Sequence, residues 1–372
     1  MNEVNHIYIH FPFCRSKCSY CAFFSEKIKR TQLLLYKKSI QKYISFFKSR
    51  YIIKPITIYI GGGTPSLNDG KYLKVINDII KKNFDLSCIK EYTVELNPVD
   101  ISIKLINILK NTPINRVSIG VQSFNRNTLR LFNRKSIDFK RLTMYLNLLK
   151  FNRINTSIDL INYLPGDRID INLKKLKYLL KYKLINHISV YDLIFEPDTI
   201  IYNKKDRISL LTQDKYLKSL EKIFKQYSFK KYEVSNYSLE GNEAIHNYGY
   251  WLVKNFIGIG QGAYSKVNSK RYICNSDLNN TKLTIERITK IDLIKEYLLM
   301  RIRVINPINK LYFNDRFNCN FDEVFAKTIY KNIELKNIKN HKTHLILTKR
   351  GMRLINSILV DLFIDIEDYF DR

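Results

Sequence analysis

No stretch of this 372-residue chain approaches the ~18 consecutive apolar residues of a membrane-spanning helix, which excludes integral insertion. Residues 1–13 lack the charged start, apolar stretch and small-residue cleavage site of a secretory signal, so a cytoplasmic protein is expected. Internal repeats and low-complexity linkers are absent. Negative charge is scarce: 34 Asp and Glu stand against 63 Lys and Arg, a formal net charge of +29. Disorder is excluded as the main state, because 26 Tyr and 21 Phe carry too much apolar surface to stay hydrated. At about 150 residues per domain, the length suits one large domain and a smaller one.

The basic excess invites a nucleic-acid reading, but its distribution argues against one. Lys is spread along the whole chain in company with Ile, Asn and Tyr, not gathered on one face with interleaved aromatic residues. In Lys174–Lys183 the Leu spacing marks an amphipathic helix with a solvated outer face. No specific nucleic-acid partner is expected. Acidic small molecules or porphyrin carboxylates would suit the charge.

Residues 1–230 alternate short strand-like runs with helix-period stretches. The strand candidates are Ile7–Phe11, Ile56–Ile60, Tyr92–Leu96, Arg116–Val121, Thr156–Leu160 and His187–Leu193. Helical spacing marks Gln32–Ser49, Lys71–Lys82 and Leu173–Tyr182. This alternation predicts an α/β fold, a partial (β/α)6 TIM-type barrel open on one side, with function at the strand ends. Residues 231–290 form a connecting region in which Tyr232–Tyr237, His246–Trp251 and Gly258–Ser265 read as strands or loops. Residues 291–372 turn helical and close with Leu345–Thr348, Gly351 and an amphipathic helix Met352–Phe363. A smaller α+β, winged-helix-like C-terminal region is expected.

Six cysteines are distributed unevenly. Cys14, Cys18 and Cys21 form a C-x3-C-x2-C triplet, whereas Cys88, Cys274 and Cys319 stand alone as small apolar residues. Structural zinc takes four ligands, while a [4Fe–4S] cube held by three cysteines keeps one iron open. The triplet therefore favours iron–sulfur, with Arg15 and Lys17 as local counter-charges. Zinc is the alternative and would need a fourth ligand such as His10.

This triplet, with Tyr20 before its last cysteine, resembles the radical S-adenosylmethionine (SAM) superfamily. From Ile7-Tyr8-Ile9-His10 to near the C-terminus, the chain resembles the oxygen-independent coproporphyrinogen III oxidase-like branch, and within it the HemW haem-chaperone family. The resemblance implies a cluster whose open iron chelates SAM, which reduction can cleave to a 5′-deoxyadenosyl radical. It also implies SAM-contacting roles for Tyr8, Tyr20, the turn Gly61-Gly62-Gly63-Thr64-Pro65, Glu95, Gln122, Arg134 and Asp159. Arg134 suits a carboxylate through paired hydrogen bonds, and the acids suit ribose hydroxyls or an amine.

Within the branch, the oxidase resembles C-x3-C-x2-C-x-C, and here Phe23 stands at the fourth position. Only 13 residues precede Cys14, where the oxidase carries a long extension. His246-Asn247-Tyr248-Gly249-Tyr250-Trp251 matches the chaperone motif H-N-x-x-Y-W and includes the one tryptophan of the chain. The resemblance ties this motif to haem and makes His246 a candidate axial ligand. A buried, hydrogen-bonded histidine in an aromatic core is the alternative from residue type. The expected function is a haem chaperone that binds a [4Fe–4S] cluster, SAM and haem and passes haem to an acceptor such as a respiratory-chain protein. Radical decarboxylation of coproporphyrinogen III is the alternative. The chain departs from the family pattern at Asn133 and Ser136 around Arg134, at Tyr163 and Asp167 around Leu164-Pro165-Gly166, and at Tyr264, usually His.

Overall fold

The six apolar runs become six parallel strands laid side by side in chain order: β1 (Glu3–Phe11), β2 (Ile52–Gly62), β3 (Glu91–Leu96), β4 (Arg116–Gln122), β5 (Asn155–Ile161) and β6 (His187–Tyr191). The structure is a computed structural model that describes residues 2–29, 32–202 and 209–371. Strand alternation sorts the side chains of β1. Ile7, Ile9 and Phe11 are fully buried in the core, while Tyr8 and His10 project to the opposite face. Helices return the chain between strands. Gln32–Lys48 buries Tyr36, Ile40, Tyr43, Ile44 and Phe47 at helical spacing, and the Tyr36 hydroxyl donates to the His10 carbonyl at 2.6 Å. Helix starts are capped from within: Ser102 accepts from the Leu105 N–H, and Asp138 from the Lys140 and Arg141 N–H groups.

Residues 231–290 extend the sheet at both edges, to twelve strands in all among the described residues. Strand Phe256–Ile259 pairs parallel with β1 and leads into an antiparallel meander, Tyr264–Val267, Lys270–Cys274 and Leu283–Arg287. At the other edge Asn236–Ser238 runs antiparallel to β6. One apolar core spans Val4 to Leu278 on this sheet. A second, rich in Phe313, Phe317, Phe321 and Phe325, belongs to the C-terminal helices and a three-stranded antiparallel sheet of Ile308–Asn309, His344–Leu347 and Ile338–Asn340. A buried ion pair, Lys266 to Glu296 at 2.8 Å, joins the meander to the first C-terminal helix, Lys290–Arg301.

Two local expectations change. The segment His246–Trp251, read as strand or loop, is a helix, Ile245–Trp251. Its start is held from a distance: the Glu91 carboxylate accepts the Ile245 N–H at 2.7 Å and the His246 N–H at 3.1 Å. Such a cap comes from 154 residues earlier and leaves no local sequence signature. The helix read as Met352–Phe363 is two helices, Lys349–Arg353 and Ile355–Phe370, with Leu354 outside helical geometry between them. The first packs so closely that a Cβ on Gly351 would lie 2.1 Å from the Asn337 carbonyl oxygen. Among the described residues no helix is long and apolar enough to cross a membrane.

Candidate functional site

The cysteine loop follows β1 and lies against the glycine turn that follows β2. The Gly63 N–H donates to the Phe11 carbonyl at 2.6 Å and the Thr64 N–H to the Phe13 carbonyl at 2.8 Å. A Cβ on Gly63 would sit 2.5 Å from the Phe13 carbonyl oxygen, so only glycine permits this approach. Gly62 takes φ +103°, and a Cβ there would meet the His10 ring at 2.4 Å. The three cysteines are free and partly buried, with the Thr64 hydroxyl 3.4 Å from the Cys14 sulfur. Burial pushes the Cys14 and Cys21 thiols up.

Counter-charge reaches the loop from across the sheet. Arg15 pairs with Asp100 at 2.7 Å, whereas the buried Arg134 guanidinium donates to the Cys18 sulfur at 3.5 Å and to the Gly120 carbonyl. Asn133, in place of the family glycine, takes the left-handed φ of +52° that Asn tolerates best after Gly, and its amide holds the Lys17 carbonyl at 3.0 Å. Tyr163 takes φ +64° at a second position where the family has glycine. Asp167, in place of Gln, accepts from Ser123 at 2.9 Å and Asn172 at 2.7 Å and serves the scaffold.

The donor set discriminates between the two metal readings. Both ring nitrogens of His10 are engaged, Nδ1 with the Tyr8 hydroxyl and Nε2 with the Phe24 carbonyl, each at 2.9 Å. Its lone pair is therefore unavailable as a fourth zinc ligand. Among the described residues no three His, Cys, Asp or Glu side chains are grouped to hold a single metal ion. Three thiols on a short loop, with a buried arginine beside them, fit a [4Fe–4S] cube, whose corners hold its ligands apart.

The SAM candidates form two neighbouring groups. Tyr8, Gly62 and Glu95 face one large cavity. Glu95 accepts from the Tyr59 hydroxyl at 2.8 Å and from the Gly62 N–H at 3.1 Å, and burial pushes its carboxyl up to about 7 against those bonds. Gln122, Arg134 and Asp159 meet around Gly120. A Cβ on Gly120 would lie 2.9 Å from the Gln122 amide and 3.0 Å from the Arg134 guanidinium, so both side-chain ends close over this glycine. Asp159 is the β5 partner of Gly120 and accepts from the Ser118 hydroxyl at 2.9 Å; burial raises its carboxyl too. Tyr20 packs on Phe132, with ring centroids 6.0 Å apart, beside the cysteines. Polar groups of both signs around backbone left open by glycines fit a zwitterionic ligand such as SAM.

The cavity holds about 1030 Å³. The cysteine loop supplies one wall through Ala22, Phe23 and Phe24, and helix Ile245–Trp251 supplies another through Asn247, Tyr250 and Trp251. Tyr264 and Met300 also reach it. Its volume and aromatic lining fit a large planar ligand such as a porphyrin. His246 is placed elsewhere. It is 1% exposed, stacks on Tyr59 with centroids 5.3 Å apart, and bonds Thr57 through Nδ1 and Tyr250 through Nε2, each at 2.8 Å. In this arrangement neither ring nitrogen is free to ligate iron.

A family model for the radical SAM superfamily matches residues 8–179, and one for the HemN C-terminal domain matches residues 288–354. The heme chaperone HemW of Lactococcus lactis is 30% identical over 98% of this chain and 99% of its own length. HemW of Buchnera aphidicola from Schizaphis graminum is 35% identical over 96% of this chain and 98% of its own. The chain belongs to the HemW family of radical SAM proteins. Among solved structures, coproporphyrinogen III oxidase HemN of Escherichia coli superposes with TM-score 0.81 at 20% identity, covering 97% of this chain and 90% of that one. That likeness establishes a HemN-like α/β fold around the radical SAM core of this HemW-family chain.

Sequence reading missed Glu91, Tyr59 and the cavity residues of the meander other than Tyr264. Glu91, 4% exposed, follows Lys90 at the start of a strand and carried no signal that set it apart from a solvated charge. Tyr59 lay inside a recognised strand, but which face met the cavity depended on the closure of the sheet.

Proposed function

We propose that this chain is a haem chaperone working in the cytoplasm, which takes up haem and delivers it to an acceptor protein such as one of the respiratory chain. The observation that carries the reading is the aromatic cavity, walled on one side by the cysteine loop and on the other by helix Ile245–Trp251. Cys14, Cys18 and Cys21 would hold the [4Fe–4S] cluster. Tyr8, Tyr20, Gly62, Gly63, Thr64, Glu95, Gln122, Arg134 and Asp159 would surround SAM. When bound, the cluster supplies an iron with an open coordination position and a route for one-electron reduction.

The chain's own residues position and neutralise. Arg134 would offset the negative charge of a cluster bound at Cys18. Glu95 is held by Tyr59 and Gly62 so that its carboxyl presents one orientation to the cavity. Phe23, 65% exposed, covers the cavity edge with an apolar ring where the oxidase pattern has a thiol.

Anaerobic purification followed by iron and sulfide analysis and titration with haemin tests the reading. Saturable binding with a Soret shift, and haem transfer to a haem-free acceptor, are expected. No saturable shift overturns it. Decarboxylation of coproporphyrinogen III with release of 5′-deoxyadenosine would establish the oxidase instead.

A further inference from the structure

We infer that His246 and Glu91 are positioning residues that fix helix Ile245–Trp251 as a wall of the cavity, and that His246 is not a ligand of haem iron. The inference rests on the haem-binding reading for its spectroscopic arm only.

A buried chain of hydrogen bonds runs behind the helix. The Tyr250 hydroxyl meets His246 Nε2 at 2.8 Å, His246 Nδ1 meets the Thr57 hydroxyl at 2.8 Å, and Thr57 meets His6 Nδ1 at 2.7 Å. Burial holds both imidazoles neutral, with His246 well below its ordinary value and His6 lowered to about 4, where Lys254 adds to the effect. A neutral imidazole has one donor and one acceptor nitrogen. Both are spent in His246, and the single Thr57 proton orders the chain in one direction or the other.

Glu91 holds the backbone of the same helix at its N-terminus. Its carboxylate takes the Ile245 and His246 N–H groups, and the Thr93 hydroxyl donates to it at 3.2 Å. Glycine completes the seat. A Cβ on Gly249 would lie 2.9 Å from the His6 ring, so the helix rests directly on that imidazole. Three anchors on β1, β2 and β3 (His6, Thr57 and Glu91) thus set the helix. The side chains that face the cavity are Asn247, Tyr250 and Trp251. Freeing His246 for iron would break its two buried hydrogen bonds and its stack on Tyr59, leaving Thr57 with His6 alone and the Tyr250 hydroxyl without its histidine partner.

The test uses two readouts on the full chain. In haem-free protein, acrylamide quenching of Trp251, the one tryptophan, reports the seating of the helix. Quenching should increase in Glu91→Ala and His246→Leu and increase less in Glu91→Gln, which keeps one acceptor oxygen. Unchanged quenching in Glu91→Ala overturns the inference, whether or not haem binds. In haemin titrations Glu91→Ala and His246→Gln should each weaken binding about tenfold, the size of a lost cap or buried bond. The Soret maximum and the ferrous–CO spectrum of the bound haem should stay at their wild-type positions. A spectral change confined to the His246 variants, with Glu91→Ala binding as wild type, overturns the inference. Wild-type protein that binds no haemin would sink the haem reading and leave the quenching series to decide the positioning role.

Discussion

On the cysteine-loop side of the cavity stand three free thiols, an exposed Phe23 and the Glu95 carboxyl pushed towards neutrality. On the helix side, Glu91, Thr57 and His246 have every polar atom engaged by another protein group. The first wall presents groups that a cofactor could engage. The second is closed on itself and presents only aromatic and amide surface. Buried polar groups that are fully paired specify shape, whereas those held in costly or unfinished surroundings mark chemistry.

The contrast breaks most sharply at the sulfurs. Replacing Cys14, Cys18 and Cys21 together by Ala should reduce bound iron and acid-labile sulfide of the reconstituted protein to background while leaving the far-ultraviolet circular dichroism intact. A collapse of secondary structure instead would make the loop part of the scaffold. On the opposite wall, Gly249→Val should lower stability by about 1–3 kcal/mol, the cost of overpacking against the His6 ring. Denaturant unfolding measures it, and an unchanged midpoint would show that the helix has room to move.

Glu95 sharpens the comparison through pH. Its folded carboxyl lies near 7 against an ordinary 4.5. Between those values the folded chain keeps a proton that the unfolded chain has released. Its contribution to stability is therefore full below about 4.5 and lost as pH rises through about 7. The difference in unfolding free energy between wild type and Glu95→Gln should change across that window and be flat outside it; a flat difference throughout would mean that the carboxyl is already ionised in the folded chain. The smallest expected effect is at the cavity edge. Phe23→Ala should weaken haemin binding about fivefold, as expected for one partly exposed aromatic contact. Isothermal titration measures it, and an unchanged affinity would place the porphyrin away from this edge.

Much of the frame was legible in the sequence because strand and helix periodicities are local. The run Arg116–Val121 became β4, Arg116–Gln122, and Gln32–Ser49 became the helix Gln32–Lys48. The cysteine triplet was legible because three cysteines within eight residues need no distant partner to be noticed. What escaped was non-local. The helical state of Ile245–Trp251 depends on a carboxylate from β3, and the engagement of His246 depends on a hydroxyl from β2. Arg15 looked like the counter-charge of the loop by proximity, yet Asp100 takes it, and Arg134 arrives from beyond β4. The departures from the family at Asn133 and Tyr163 could not be interpreted until their left-handed backbone was seen.

The parallel pairing of β1 with Phe256–Ile259 sets a timetable for biogenesis. β1 pairs on one side with β2, which follows it within about 50 residues, but its other side waits for a partner some 250 residues later. At roughly 5–20 residues per second, that interval lasts on the order of tens of seconds. Throughout it, the nascent chain exposes an unpaired apolar edge beside the cysteine loop, a period in which holdase protection would favour the correct product.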